Sequence, residues 1–338
     1  MTKKVKWGIL STASIAQRRV LPAMMNCQRT EVAAIASRSI EKAKTVAANF
    51  SIPKVYGSYE ELFSDPEIEV IYNPLPNHLH VEWSIRAASR GKHVLCEKPL
   101  SQSVAEVRRL LQARDEYHVK IGEAFMVRTH PQWLRTAELV FSGRIGKLRS
   151  AIGYFSYFNV DPGNPRNVLD CAGGALMDIG CYPIKTSRLV FGEEPVRVIC
   201  ALERDPSFKT DRLTSAILEF PRGQSIFTVS SQAVYYQKMQ FIGTTGRIDV
   251  EIPFNAPTDK PSRIFVDDGR DLYGGASAVV ESFPICNQFT IQADLFSAAI
   301  REDTEVPNPL EDSICNAAVI EALFRSAESG KWETPERL

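Results

Sequence analysis

The first 125 residues alternate short apolar runs with helical patterns, and this rhythm limits the possible folds more than any other feature of the chain. It predicts strands at 5–10, 31–37, 69–73, 93–96 and 119–123. It predicts helices at 11–16, 39–50, 78–90 and 103–117, the last of which opens on the capping-box pair Ser103 and Glu106. Such alternation is typical of a doubly wound parallel sheet with helices on both faces.

After residue 125 the pattern changes to longer strands separated by turns. Strands are predicted at 147–158, 195–203, 213–220, 225–234, 238–243 and 246–252, and helices at 130–142, 174–191, 287–301 and 311–329. These strands indicate a large, mostly antiparallel open sheet. The stretch 255–286 is rich in loops and predicts no element. The expected class is therefore α/β with two domains, 1–125 and 126–338.

Charge and composition exclude several classes of protein. Forty basic residues balance forty acidic ones over 338 residues, so the chain lacks the basic field of a nucleic-acid-binding protein. No run approaches the roughly 20 apolar residues of a membrane span, and the short apolar run after the basic start is too short for a signal peptide. The seven cysteines form no CxxC pair and the five histidines show no metal-ligand spacing, so we expect no metal and a cytoplasmic, reducing location.

The turn after the first strand is a candidate phosphate-binding turn. Small residues in such a turn let the backbone approach a dinucleotide pyrophosphate at the helix N-terminus. Here Ser11 and Ala13 stand where glycines are expected, with Ala16 at the third position. The turn alone also fits a tight connection without a ligand. The strand–helix–strand context favours a dinucleotide site.

The end of the second strand favours NADP over NAD. An NAD site places Asp or Glu about 20 residues after the glycines, where it binds the ribose hydroxyls. The strand here ends in Ser37, Arg38 and Ser39, without a carboxylate. Ser37 can donate to a 2′-phosphate, and Arg38 can pair with it. The alternative is a solvated arginine that opens the next helix.

Four segments together resemble the Gfo/Idh/MocA family, named for glucose–fructose oxidoreductase, inositol dehydrogenase and a rhizopine-catabolism protein. They are 72–80 (YNPLPNHLH), 96–100 (CEKPL), 123–131 (EAFMVRTHP) and 173–183 (GGALMDIGCYP). The resemblance covers nearly the whole chain, although each segment alone is weak. It implies a Rossmann domain for NAD(P) over 1–125. It also implies a substrate-binding and oligomerisation domain over 126–338, with the substrate in the cleft between the two and pairing as a homodimer or higher homo-oligomer through the second sheet.

Three residues carry the predicted chemistry. Lys98 lies just past a predicted strand, where an open sheet presents side chains to ligands. Asp178 and Tyr182 are four residues apart on a predicted helix and so share a face, and Pro183 is expected to distort that helix. The resemblance implies that Lys98 and Tyr182 transfer the proton, that Asp178 orients a substrate hydroxyl, and that the Lys98–Pro99 bond is cis. A lysine cation beside Tyr182 would lower the pKa of its phenol.

The remaining predicted site residues fall into two sets. The cofactor set is Ser11, Thr12, Ala13, Ser14, Ile15, Ser37, Arg38, Pro74, Leu75, Asn77, His80, Glu97 and Lys98. The substrate set adds Arg128, His130, Arg166 and Asn167 to Lys98, Asp178 and Tyr182. His80, Arg128 and His130 fit structural roles equally well.

The expected activity is NADP-dependent oxidation of a sugar or polyol, at C1 of an aldose. Many members of the family have histidine at the position of Tyr182. With tyrosine there, the chain resembles the branch that contains glucose–fructose oxidoreductase, xylose dehydrogenase and dihydrodiol dehydrogenase. A trans-dihydrodiol or another cyclic alcohol is therefore an alternative substrate, with Phe125, Tyr154, Phe155, Tyr157 and Phe158 as possible lining. A non-catalytic NADP-binding sensor is an alternative of another class. The resemblance implies that a permanently held cofactor, as in glucose–fructose oxidoreductase, goes with an added N-terminal arm over it; only four residues precede the first strand here, so we do not expect one.

Overall fold

The structure is a computed structural model that describes residues 3–271 and 277–337. Its contacts divide the chain into two compact units. The first contains residues up to Met126 together with Asn287–Ile314, and the second contains Val127–Cys286 together with residues from Cys315 on. No helix in the described ranges combines the length and the apolarity that crossing a membrane requires.

The first unit is built on a parallel sheet, as the sequence predicts. Its strands are β1 (Val5–Leu10), β2 (Thr30–Ala36), β3 (Lys54–Tyr56), β4 (Val70–Asn73), β5 (His93–Glu97) and β6 (Ile121–Ala124). They are ordered β3-β2-β1-β4-β5-β6, and every pair is parallel. The strand order reverses between β1 and β4. The crevice at the carboxyl ends of these two strands is therefore the place where a doubly wound sheet binds its ligand.

The α-helices of the described chain share these two units. They are α1 (Leu21–Met24), α2 (Ile40–Phe50), α3 (Tyr59–Ser64), α4 (His80–Ala88), α5 (Val104–Glu116), α6 (Pro131–Phe141), α7 (Cys181–Phe191), α8 (Gln288–Glu302) and α9 (Leu310–Ser329). The predicted capping box of α5 is present, since the Glu106 N–H donates to Ser103 Oγ at 3.2 Å. The sequence pattern does not predict β3 and α3, because both are short and carry no clear hydrophobic period.

Helix α8 lies in the first unit, which differs from the predicted boundary between the domains. Trp7 of β1 is fully buried, and its Nε1–H donates to Ser297 Oγ of α8 at 3.0 Å. Its ring also lies 5.6 Å from that of Phe296, in the apolar stripe of the helix. Residues 287–314 therefore pack with the first unit, although the sequence assigned them to 126–338. A stripe shows that a helix is buried but does not show against which sheet.

The second unit contains an eight-stranded, mostly antiparallel sheet. Its strands are β7 (Leu148–Phe158), β8 (Arg197–Arg204), β9 (Asp211–Phe220), β10 (Gly223–Ser230), β11 (Gln232–Gly243), β12 (Arg247–Val250), β13 (Ser262–Asp267) and β14 (Val279–Phe283). Their order is β14-β13-β12-β11-β7-β10-β9-β8, and only the β7–β10 pair is parallel. The predicted class of this sheet is confirmed.

The sequence pattern misses two strands of this sheet and extends a third one too far. β13 and β14 lie within 255–286, where no element was predicted. The predicted strand over 225–234 is in fact interrupted at Ser231, because β10 and β11 pair with opposite sides of β7 and the chain must leave the sheet between them. Polar residues at 230–232 accompany this break.

Helices α6 and α7 cover one face of this sheet. Burial along β7 alternates, with Ala151, Gly153 and Phe155 buried and Ile152 exposed. Gly153 allows the close packing, since a Cβ there would lie 3.2 Å from Pro183 of α7. The helix-covered side of β7 is thus the side on which odd-numbered residues lie.

Candidate active site

The turn after β1 has the tight backbone expected of a phosphate-binding turn. Ser11 adopts a left-handed conformation, with φ of 64°, which glycine usually occupies. Its N–H donates to Ala36 O at 2.8 Å, and its Oγ accepts from the Ala13 N–H at 3.2 Å. Helical structure starts at Ser14, and the first N–H groups of a helix have no acceptor within it. This arrangement fits a pyrophosphate.

Arg38 and Ser37 stand beside this turn at the carboxyl end of β2. Ser37 is buried, and its Oγ accepts from the Ser39 N–H at 3.2 Å, which leaves its own hydroxyl hydrogen to donate. Arg38 is exposed; burial raises the pKa of the nearby Tyr59, and the Arg38 guanidinium opposes this rise. Residues 37–39 contain no carboxylate, so the end of the strand fits a phosphate better than a pair of ribose hydroxyls.

The loop after β4 is held by buried amide and imidazole groups. Asn73 donates through Nδ2 to His80 O at 3.1 Å, and its Oδ1 accepts from the Leu75 N–H at 3.2 Å. The His80 ring lies between two carbonyl oxygens, with Nε2 at 2.6 Å from Leu75 O and Nδ1 at 2.9 Å from Pro99 O. Burial lowers its pKa to about 4. Both ring nitrogens therefore contact the protein, and His80 links the loops after β4 and β5.

Lys98 lies in a segment that buried carboxylates hold at both ends. Before it, Glu97 accepts a 2.6 Å hydrogen bond from the Tyr72 hydroxyl. After it, Glu123 accepts from the Leu100 N–H at 3.1 Å and from the Ser313 hydroxyl at 3.0 Å. The Lys98–Pro99 bond is cis, as the resemblance implies. The Lys98 side chain is half-buried, and the backbone that carries it is well fixed.

Asp178 lies in a distorted helical segment of the second unit. A π-helical turn, Leu176–Gly180, runs directly into α7. This confirms the predicted distortion, since Pro183 has no N–H to offer the carbonyl four residues earlier. Single π-helical turns inside helices are frequent at functional sites.

The start of this turn is fixed by Asp211 of β9, which the sequence analysis missed. Its Oδ2 accepts from the Leu176 N–H at 2.6 Å and from the Thr214 hydroxyl at 3.0 Å. Burial raises the pKa of Asp211. Gly174, with φ of 120°, leaves room for this carboxylate, because a Cβ there would lie 1.9 Å from Asp211 Oδ1. Gly173 packs equally closely, with its virtual Cβ 2.3 Å from Arg166 O.

Asp178 is the centre of a polar cluster with Tyr157 and Arg166. Its Oδ2 accepts from the Tyr157 hydroxyl at 2.7 Å and from Arg166 Nε at 2.8 Å. The Asp178 carboxylate raises the pKa of the Arg166 guanidinium. The predicted substrate residues Asp178 and Arg166 are thus brought together. Tyr157 was considered only as apolar lining, although its position on β7 already placed it on the covered face.

Tyr182 lies beside this cluster, in an aromatic environment. It is buried, and its ring lies 5.6 Å from Phe155 and 5.3 Å from Phe254. Asp178 and, more weakly, Tyr182 raise the pKa of the Arg166 guanidinium. Of the five aromatic residues that the sequence offers as lining, only two lie on the helix-covered side of β7, and Phe125 is fully buried in the first unit. Phe155 and Tyr157 are these two residues. Tyr154 instead contacts Tyr236, and Phe158 is exposed.

The other predicted substrate residues have mixed positions. Arg128 is half-buried in the short 3-10 helix Met126–Thr129. His130 is fully buried, with Nδ1 accepting from the Gln132 N–H at 3.3 Å and Nε2 lying 3.4 Å from Cys286 Sγ. Burial lowers the pKa of His130 to about 4. Asn167 is buried, and it donates to Asp161 O at 2.9 Å and Asn159 Oδ1 at 3.0 Å. His130 and Asn167 therefore bond the protein itself.

Two family profiles and several known proteins match the sequence of this chain. Residues 5–125 match the profile of an oxidoreductase family with an NAD-binding Rossmann fold, and residues 133–249 match the GFO/IDH/MocA C-terminal domain. The chain is 46% identical over 331 residues to an uncharacterized oxidoreductase of Rhizobium meliloti, which covers 98% of this chain and 99% of the relative. It is 36% identical to a D-xylose 1-dehydrogenase (NADP(+)) of Haloferax volcanii, over 96% of this chain and 98% of the relative.

A solved structure agrees with these sequence relatives. It is the 3-ketoreductase KijD10 from Actinomadura kijaniata in complex with NADP and TDP-benzene. It superposes with a TM-score of 0.89 at 30% identity, over 96% of this chain and 98% of the reductase. The chain therefore belongs to the Gfo/Idh/MocA family of oxidoreductases.

Proposed function

We propose that this protein is an NADP-dependent dehydrogenase that oxidises a sugar at a carbinol carbon, namely C1 of an aldose. The observation that carries the proposal is the cluster of Asp178, Tyr157 and Arg166 beside Tyr182. A few polar groups that converge among aromatic side chains are what a site for a hydroxylated ligand needs. The similarity to a D-xylose 1-dehydrogenase supports the substrate class.

The cofactor site is proposed at the carboxyl ends of the parallel strands. Backbone groups of Ser11, Thr12, Ala13, Ser14 and Ile15 hold the pyrophosphate. Ser37 and Arg38 bind the 2′-phosphate. Residues at the end of β5 and in the segments that follow β4 and β5 border the nicotinamide. They are Pro74, Leu75, Asn77, His80, Glu97 and Lys98. Since both His80 ring nitrogens contact carbonyl oxygens, its part is to shape these loops. Bound NADP supplies the hydride acceptor, its nicotinamide C4.

The protein's own residues handle the proton and the orientation of the substrate. Tyr182 takes the proton of the carbinol hydroxyl as the C–H bond breaks. The Lys98 ammonium favours the phenolate form of Tyr182. Asp178 accepts a hydrogen bond from a second hydroxyl group of the substrate and so orients the sugar. Arg128 and the Arg166 guanidinium remain proposed substrate contacts. His130 and Asn167 instead support the site through their hydrogen bonds to the protein.

An absorbance assay at 340 nm tests this proposal. Purified protein is mixed with NADP or NAD and a panel of pentoses, hexoses, polyols and a trans-dihydrodiol. We expect NADP reduction with at least one aldose. Turnover of the dihydrodiol alone would replace the sugar by a cyclic alcohol. Tight NADP binding without turnover of any compound would favour a sensor.

The choice of cofactor depends on Arg38. We expect Arg38→Ala to raise the Kd of NADPH by about 10- to 100-fold, the loss of one charge-assisted phosphate contact. The Kd of NADH should stay unchanged, because NADH has no 2′-phosphate. Titration of protein fluorescence with both nucleotides measures this. Lys42→Ala, which removes an exposed cation from α2, is the control. An equal effect on both nucleotides would contradict the assignment.

We also propose that the outer face of the eight-stranded sheet pairs with a second copy of the chain. Four isoleucines lie in register on adjacent strands across this face, namely Ile199, Ile217, Ile226 and Ile152. Ile226 and Ile152 are 43% and 44% exposed. A solvated antiparallel face is normally polar, so a continuous apolar row indicates a covered surface. An identical row on another copy is complementary to it.

A charge in this row should break the dimer. We expect Ile226→Lys to weaken dimerisation by about 100-fold or more, because a two-fold interface would bury two unpaired ammonium groups. Light scattering coupled to size exclusion measures the mass, and circular dichroism confirms folding. Leu295→Lys places the same charge at a similarly exposed residue of α8 and should leave the mass unchanged. A wild-type protein that is monomeric at all concentrations would refute the proposal.

A further inference from the structure

The position of Tyr157 follows from the alternation of β7. Phe155 and Tyr157 lie on the face covered by helices, whereas Tyr154 lies on the outer face and contacts Tyr236. The Tyr157 hydroxyl is directed at Asp178 Oδ2, at 2.7 Å. A strand in the middle of a sheet is a rigid support, so this hydroxyl is held more firmly than one on a loop.

Arg166 reaches the same carboxylate oxygen from a second fixed support. Its Nε lies 2.8 Å from Asp178 Oδ2. Its backbone carbonyl accepts from the Gly174 N–H at 2.9 Å, and its N–H donates to Asn164 Oδ1 at 3.1 Å. Two donors on separate elements therefore converge on one oxygen. Together they fix the position of this carboxylate oxygen.

Tyr157 acts as a donor, because the surroundings disfavour its ionisation. Burial raises the pKa of Tyr157, and the neighbouring Asp178 carboxylate raises it further. The charged groups that act on the Tyr157 hydroxyl are Asp178, Arg166 and Asp211 of β9, and Tyr182 of α7 acts on Arg166. Tyr157 is thus unsuited to take the substrate proton. The hydrogen bond that Tyr157 donates favours the ionised form of the Asp178 carboxyl group. The ionised carboxylate is the form that only accepts, so it can accept a hydrogen bond from a substrate hydroxyl.

We infer that Tyr157 is a positioning residue that holds the ionised Asp178 carboxylate in the orientation that accepts a substrate hydroxyl. The inference rests on the proposed function. It assigns specificity to a residue of the sheet that does not itself take part in proton transfer. Arg166 supplies the compensating charge, and Tyr157 supplies the direction.

Tyr157→Phe removes only the hydroxyl, so it tests the inference without a change in packing. We expect the KM of the sugar to rise by about 10-fold, with the Kd of NADPH unchanged. Tyr154→Phe makes the same chemical change on the other face of β7 and should leave both constants unchanged. In an Asp178→Ala background, Tyr157→Phe should have little further effect on the KM, because the oxygen that accepts its hydrogen bond is gone. Fully additive losses would overturn the inference.

A titration that needs no substrate separates this inference from the proposed function. Protein labelled with ¹³C in the aspartate carboxyl groups is titrated by NMR, with the Asp178 signal assigned by its loss in Asp178→Asn. We expect Asp178 to titrate at a higher pH in Tyr157→Phe than in the wild type or in Tyr154→Phe. An unchanged titration would overturn the inference. A wild type that turns over no sugar would refute the proposed function instead.

Discussion

Replacement of Lys98 by alanine is expected to lower kcat by about 100- to 10,000-fold, the range for loss of a group that assists proton transfer. The side chain is half-buried in a segment fixed by Glu97 and Glu123. Those carboxylates bond Tyr72, Ser313 and the backbone, so the segment keeps its conformation when the lysine is removed. The Kd of NADPH should therefore change little. In the proposed mechanism Lys98 favours the phenolate form of Tyr182, so residual activity should shift to higher pH when the lysine is removed. Steady-state kinetics over a pH series measures both effects.

A double-mutant cycle with Tyr182→Phe is the control for this prediction. If Lys98 and Tyr182 act as one proton-transfer unit, the double variant should be little worse than the more damaged single variant. Additive losses would show that the two residues act in separate steps. A Lys98→Ala enzyme within two- or threefold of the wild-type kcat would remove Lys98 from the mechanism.

Gly174→Ala is expected to be the most destabilising small substitution at the site. The new Cβ would lie 1.9 Å from Asp211 Oδ1, at a backbone φ of 120° that residues other than glycine rarely adopt. Asp211 cannot move aside freely, since it accepts from Leu176 and Thr214. Its displacement would leave these buried donors unpaired. We expect Tm to fall by about 5 °C or more, and we expect dehydrogenase activity to fall because Asp178 follows in the same helical segment.

Gly143→Ala provides the matched control in the same unit. Gly143 also has a positive φ, of 77°, but a Cβ there would meet nothing within 4 Å. Only the backbone strain remains, of about 1–2 kcal/mol. Calorimetry should show a clearly smaller fall in Tm than for Gly174→Ala. Equal falls would mean that contact with Asp211 has no special importance.

The N-terminal fold is predictable from the sequence because its signals are local. Strands that are buried on both faces read as apolar runs, and β1, β2, β4, β5 and β6 all lie close to their predicted positions. The absence of a carboxylate after β2 is also a local feature, and the end of that strand holds Ser37 and Arg38 as expected. Pro183 similarly predicts the distortion before α7.

Other features depend on contacts between distant residues, which single-sequence patterns do not reveal. The stripe of α8 indicates burial, but only the structure shows that Trp7 is its partner. Asp211 caps a turn that starts 35 residues earlier in the chain. Tyr157 bonds a carboxylate 21 residues away, and no spacing rule links the two. His130 follows a predicted strand end and Asn167 lies in the loop before the glycine pair, and these positions suggest substrate contacts; the protein partners that they bond are not visible in the sequence.

Transfer of deuterium from substrate to cofactor tests the central claim most directly. The protein is incubated with NADP and aldoses labelled with deuterium at C1, beginning with D-xylose, and the nucleotide is analysed by mass spectrometry and NMR. Hydride transfer from C1 predicts NADPH that is one mass unit heavier, with the label at C4 of the nicotinamide. NADPH that forms without the label, or no NADPH with any aldose, would contradict the account.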